Sequence, residues 1–236
     1  MTLTSWAAGI GAIAVVLGVG IGGCSSEPEQ RAAPQIFDLE AGTSVGLDPE
    51  PAAARTVVPA ADLEALLADL LGEHAELVAD VMTAAADGES TGETVAALQA
   101  NTVELTGAIN LVYGPDGAAA FDQLWGQHTQ FFAEYAVASG DGDQERKDEA
   151  SAKLHDYHLD FSSFADTATG GTAPADVVIE LLHNHVADLT GYIDAHSSGD
   201  RAEAEARLES ATSYMAVIAD ALAGAIAAQD PERFPA

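Results

Sequence analysis

A chain of 236 residues with 38 Asp and Glu against 8 Lys and Arg has a formal net charge of −30. Such a surface repels nucleic acid and anionic lipid headgroups, so nucleic-acid binding is excluded and cations are the favoured small partners. Self-repulsion on this scale is relieved at molar ionic strength, where the Debye length falls to about 3 Å.

The first element is an apolar run from Ala7 to Ile21, ending in Ile21-Gly22-Gly23-Cys24, which holds the only cysteine of the chain. At about 15 residues the run is shorter than the ~20 that a spanning helix needs. An ordinary cleaved signal leaves an odd cysteine unexplained. The tetrapeptide resembles the lipobox of bacterial lipoproteins. That resemblance implies removal of residues 1–23 as a signal peptide and acylation of Cys24, with membrane lipid as the partner at that residue. It also implies a lipid-anchored position on the extracytoplasmic face of the cell membrane. Met1 to Trp6 carry no Lys or Arg, so the positive start usual in signals is missing.

Residues 24–60 read as the lipidated cysteine and a disordered, acidic and proline-rich tether. Pro28, Pro34, Pro49, Pro51 and Pro59 interrupt it, and no apolar periodicity is sustained. Residues 61–236 are long enough for one domain with a real core. Its breaks fall at Asp87-Gly88, Tyr113-Gly114-Pro115-Asp116-Gly117, Gly140-Asp141-Gly142, Gly170-Gly171 and Ser198-Gly199-Asp200. They predict six helices, near 61–85, 91–112, 118–138, 144–166, 174–195 and 200–228. Each has apolar residues three and four apart, as in Leu63, Leu67, Leu70, Leu77 and Val81. No run alternates long enough to predict a strand.

The segments repeat in pairs. Leu70-Leu71-Gly72-Glu73-His74, Leu124-Trp125-Gly126-Gln127-His128 and Leu181-Leu182-His183-Asn184-His185 align at intervals of 54 and 57 residues, and Leu98, Leu154 and Leu208 align in the second helices. The expected fold is all-α: three repeated helical hairpins forming a bundle or a short helical array. The Leu-x-x-x-His starts, the Tyr113-Gly114 turn leading to Phe121 and the closing Gln229-Asp230-Pro231-Glu232-Arg233-Phe234 resemble a family of exported, histidine-bearing helical proteins of Gram-positive bacteria. The resemblance covers residues 61–234 and implies fold and compartment, with no catalytic residues to carry over.

His74, His128, His158 and His185 each lie within the apolar stripe near the middle of a helix. Thr102 and Thr212 hold the matching positions in the remaining two helices, with Met215 one turn past Thr212. Midpoints of up-and-down helices share one level, so the pattern predicts a polar layer of four imidazoles and two hydroxyls inside an apolar core. One reading is a purely structural layer, imidazole bonded to threonine, tyrosine or water, with Tyr157 and Tyr214 close by. The other is a metal site, since neutral imidazoles on facing helices are common transition-metal ligands. A bound organic group is a third.

His74, His128, His158 and His185 are thus the candidate metal ligands, with His155, Met215, Thr102 and Thr212 as additional members. No Glu-x-x-His stands at the layer, so the di-iron carboxylate pattern is missing, as is His-Glu-x-x-His. Copper or zinc suits the imidazoles and the thioether better than iron. His183 and His196 are expected at the surface. The chain has no nucleophile elbow, no phosphate-cradling glycine loop and no cysteine nucleophile, which argues for binding rather than catalysis. The expectation is an anchored metal-binding protein or, alternatively, a scaffold module for another envelope protein.

Overall fold

A computed structural model describes residues 30–35 and 56–236. The apolar leader, Cys24 and most of the proline-rich stretch lie outside the described residues. Five α-helices and no strand occur among the described residues: α1 (Ala60–Asp87), α2 (Gly92–Asp141), α3 (Gln144–Ala168), α4 (Ala175–Ser198) and α5 (Arg201–Gln229). The ends follow from local chemistry. Gly88, Gly142 and Gly199 close α1, α2 and α4 in the left-handed conformation. Asp143 and Asp200 cap α3 and α5 by accepting from the backbone N–H of Arg146 and Glu203.

The second helix is two helices in all but name. At Gly114 the backbone has φ 77° and ψ −176°, and Pro115 restarts the helix at once. A side chain at that positive φ is strained, whereas proline's fixed φ suits a first helical turn. The chain doubles back there. Thr106 Oγ1 donates to Asp122 Oδ1 at 3.2 Å across 16 residues that would span about 24 Å in a straight helix. The reversal expected over residues 113–117 is therefore made essentially by one residue, and six helical runs alternate in direction.

The helices close into a bundle rather than an open array. The order of contacts is α1 on α2, α2 on α3, α3 on α4, α4 on α5 and α5 back on α1, with α4 also touching α1 and α2. Where the C-terminal ends of α1 and α2 cross, a Cβ at Gly140 would stand 2.1 Å from the Ala86 carbonyl oxygen, so only glycine permits the approach. By length and apolar content α5 passes for a membrane span. Here its Ala211, Met215, Ala219 and Ile226 are buried against α1 and α4.

Two apolar clusters divide the core. One contains Leu67, Leu71, Phe121, Trp125, Phe161, Leu182 and Ile226; the other contains Val78, Met82, Leu98, Phe132, Leu154, Leu189 and Ile193. In α2 and α4 the switch from the first cluster to the second brackets His128 and His185, and in α1 it follows His74, between Ala75 and Val78.

Parts of the stretch expected to be a tether are fixed to the bundle. Arg31 donates to the carbonyls of Ala86 and Val137 at 3.0 and 3.4 Å and pairs with Asp141 at 3.2 Å. Val58 N–H donates to the Arg233 carbonyl and Ala60 N–H to that of Pro235. Arg233 is itself buried, with its guanidinium donating to the carbonyls of Leu111 and Val112 at the end of the first arm of α2. Low apolar content in the sequence hid these contacts because they run through backbone carbonyls, which any residue supplies.

Candidate functional site

The four histidines of the expected polar layer meet at one place, without its two threonines. His74, His128, His158 and His185 are 0, 3, 4 and 5% exposed. All four line one internal cavity of about 30 Å³ with Trp125, Tyr157 and Met215. The rest of the lining is Leu71, Phe161, Leu182, Val186, Ile218 and Leu222. His74 comes from α1, His128 from the second arm of α2, His158 from α3, His185 from α4 and Met215 from α5. Each is carried by a helix whose neighbouring apolar residues fix its rotation, which is why the side chains converge.

At the centre, His74 Nε2 and His128 Nε2 stand 3.1 Å apart. His128 Nδ1 contacts the Trp125 carbonyl oxygen, three residues back on the same helix. A carbonyl only accepts, so His128 carries its proton on Nδ1 and presents a bare Nε2. In the neutral pair His74 must then donate from Nε2, which leaves His74 Nδ1 bare. Around this pair several buried polar atoms have no hydrogen-bond partner among the protein's groups: His74 Nδ1, His158 Nε2, His185 Nδ1, Trp125 Nε1 and Tyr157 Oη. Each such atom costs about 1–3 kcal/mol when left unmatched. Five at one cavity is a concentrated penalty.

Burial holds the imidazoles neutral. Desolvation, with the neighbouring His185 and His158 adding to it, lowers His128 to about 3. Desolvation lowers His158 and His185 to about 4, and His74 is lowered well below 6.5. Burial likewise raises the Tyr157 phenol well above 10, so it is a neutral hydroxyl. No carboxylate is among the groups acting on any of the four histidines.

The other sequence candidates fall elsewhere. Thr102 is buried, but its Oγ1 has no partner and it does not line the cavity. Thr212 is half-buried and faces an open acidic groove with Glu76, Asp80, Glu205 and Glu209, outside the layer. The expected pairing of imidazole with threonine is therefore replaced by imidazole with imidazole and with backbone. His155 is exposed, its ring 6.3 Å from that of His158. His183 is exposed, whereas His196, expected at the surface, is half-buried and paired with Asp87 at 3.0 Å. Tyr214 accepts from Asn184 and takes no part.

Trp125 joins the site although the histidine spacing did not single it out. Its ring lies 4.7 Å from that of His74 and 4.5 Å from that of His128, with its N–H unmatched at the cavity. The signal was its position three before His128 on one helix face. Among the described residues no three His, Cys, Asp or Glu side chains stand close enough to hold one ion as they are placed.

No protein-family model, no curated protein and no solved structure matches the chain.

Proposed function

We propose that this chain is a membrane-anchored, extracytoplasmic binding protein that takes up a transition metal, copper or zinc, through its buried histidine layer. The observation that supports this most directly is the meeting of four neutral imidazoles at one internal cavity, with the Nε2 atoms of His74 and His128 3.1 Å apart. Two nitrogens bound tetrahedrally to one zinc at 2.0–2.1 Å are separated by about 3.3 Å, close to the spacing here, and sharing an ion requires the His74 proton to pass from Nε2 to the bare Nδ1. His158 Nε2 and His185 Nδ1, both buried without a partner at the same cavity, are further donors of the same kind. The anchor rests on Ile21 to Cys24, and the role is binding without catalysis. The three Leu-x-x-x-His helices are copies of one ancestral hairpin with a core histidine.

Elemental analysis of the full chain, purified in detergent without chelator, tests the function. About one copper or zinc per chain is expected, lost on His128→Ala together with His158→Ala while helicity survives. Labelled fatty acid should be incorporated in the intact chain and not after Cys24→Ala.

A second reading has its own support. The run from His74 to His128 to the Trp125 carbonyl satisfies several groups without a metal, as a structural layer in a scaffold for another envelope protein requires. A chain that takes up no metal, and melts at the same temperature with and without chelator, would favour it.

A further inference from the structure

The charge of the cavity lining sets which ion it can take. In a chain with 38 Asp and Glu, the lining contains none. Four imidazoles, a thioether, an indole and a phenol surround the space. A dication placed there brings an uncompensated double charge into an apolar core. The cost of burying an ion rises with the square of its charge, so it is about fourfold larger for a dication than for a monocation of the same size. No carboxylate stands in the lining to offset that charge.

The donors present are those a soft monovalent ion uses. Thioether sulfur favours copper(I), and Met215 is 2% exposed and lines the cavity. Copper(I) is content with two or three ligands, so the lack of a crowded set of three hard donors is no obstacle to it. The Trp125 ring packs within 5 Å of both central imidazoles, and an aromatic ring beside a site favours a cation in it.

We infer that the histidine cavity is selective for a soft monovalent cation, copper(I) in biology and silver(I) as its redox-inert stand-in, held by His74, His128 and Met215 beside the Trp125 ring. This rests on the metal-binding reading above and narrows it to one charge class.

The test uses the full chain in detergent, carrying Cys24→Ala so that its single thiol cannot compete. Silver(I), copper(I) under anaerobic reductant, and zinc(II) are titrated separately against chromophoric chelators at pH 7. Expected are one silver(I) or copper(I) per chain and binding at least 100-fold tighter than zinc(II). Met215→Leu should weaken silver(I) about tenfold and leave zinc(II) unchanged, and His128→Ala should abolish silver(I) uptake in protein that still melts cooperatively. Zinc(II) bound as tightly as silver(I), or silver(I) binding indifferent to both substitutions, overturns the charge-class inference while metal binding stands. No uptake of any of the three ions removes both.

Discussion

His74 donates across 3.1 Å to His128, and His128 in turn donates from its other nitrogen to the Trp125 carbonyl. The proton positions along this run are fixed by the carbonyl at its end, so the two imidazoles act as one unit. A double-substitution cycle should show it. Either His128→Leu or His74→Leu alone is expected to cost about 2–4 kcal/mol, because the surviving imidazole keeps an unmatched polar atom in the core. The double Leu variant should cost less than the sum by at least ~1 kcal/mol in urea unfolding. Additive costs would mean the pair is not coupled.

Acid should unfold the bundle through the same residues. The folded-state pKa values of His128, His158 and His185 sit at about 3, 4 and 4, beneath the ordinary 6.5. The unfolded chain therefore binds protons first as pH falls. Stability from these groups is fully present above pH 6.5 and is lost progressively down to about pH 4. Well below 6.5, each histidine costs about 1.4 kcal/mol per pH unit. Relief of the −30 charge acts in the opposite direction as pH approaches the pI of 4.1. Measuring in ~1 M salt suppresses that effect. Urea midpoints should fall steadily from pH 7 to 4.5, and a variant with all four histidines replaced by Leu should lose most of the slope, provided it folds.

Gly140 and Gly142, two residues apart, should respond very differently to alanine. At Gly140 the new Cβ meets the Ala86 backbone oxygen at 2.1 Å, so helices α1 and α2 must separate. A loss of about 3 kcal/mol or more is expected. At Gly142 nothing lies within 4 Å and only the φ of 68° is strained, which costs about 1–2 kcal/mol. Equal melting temperatures for the two variants would contradict the crossing described here.

Replacing Arg233 by Met keeps length and removes the donors to Leu111 and Val112. Two carbonyls at the end of the first arm of α2 then lose their partner, with an expected cost of about 2–3 kcal/mol. Hydrogen exchange should accelerate first around residues 105–117 and near Val58, leaving α4 protected. A uniform change along the chain would show that Arg233 does not act locally.

The sequence carried the fold unevenly. Gly88, Gly142 and Gly199 announced helix ends because left-handed caps demand glycine, and the three-and-four spacing around His74, His128, His158 and His185 placed all four inside. Gly114 was read as part of a five-residue turn, since nothing in Tyr113 to Gly117 says that one residue suffices. Thr212 was misplaced by a small rotation of α5, a helix so rich in alanine that its apolar face is nearly undefined. Partners were less legible than positions. Whether an imidazole meets a threonine or another imidazole depends on the order of helices around the bundle, and spacing along one helix carries no trace of that order.

The residues that fasten the bundle lie far apart along the chain. Arg233 and Pro235 accept from Val58 and Ala60 at the start of α1, and α5 completes the ring of helices. A chain that has gathered its first hairpins still lacks this strap until residues 233–235 dock against the start of α1. Closure of the ring is therefore a long-range event, and loosening either side of that one seam frees the start of α1 and the segment after α5 together.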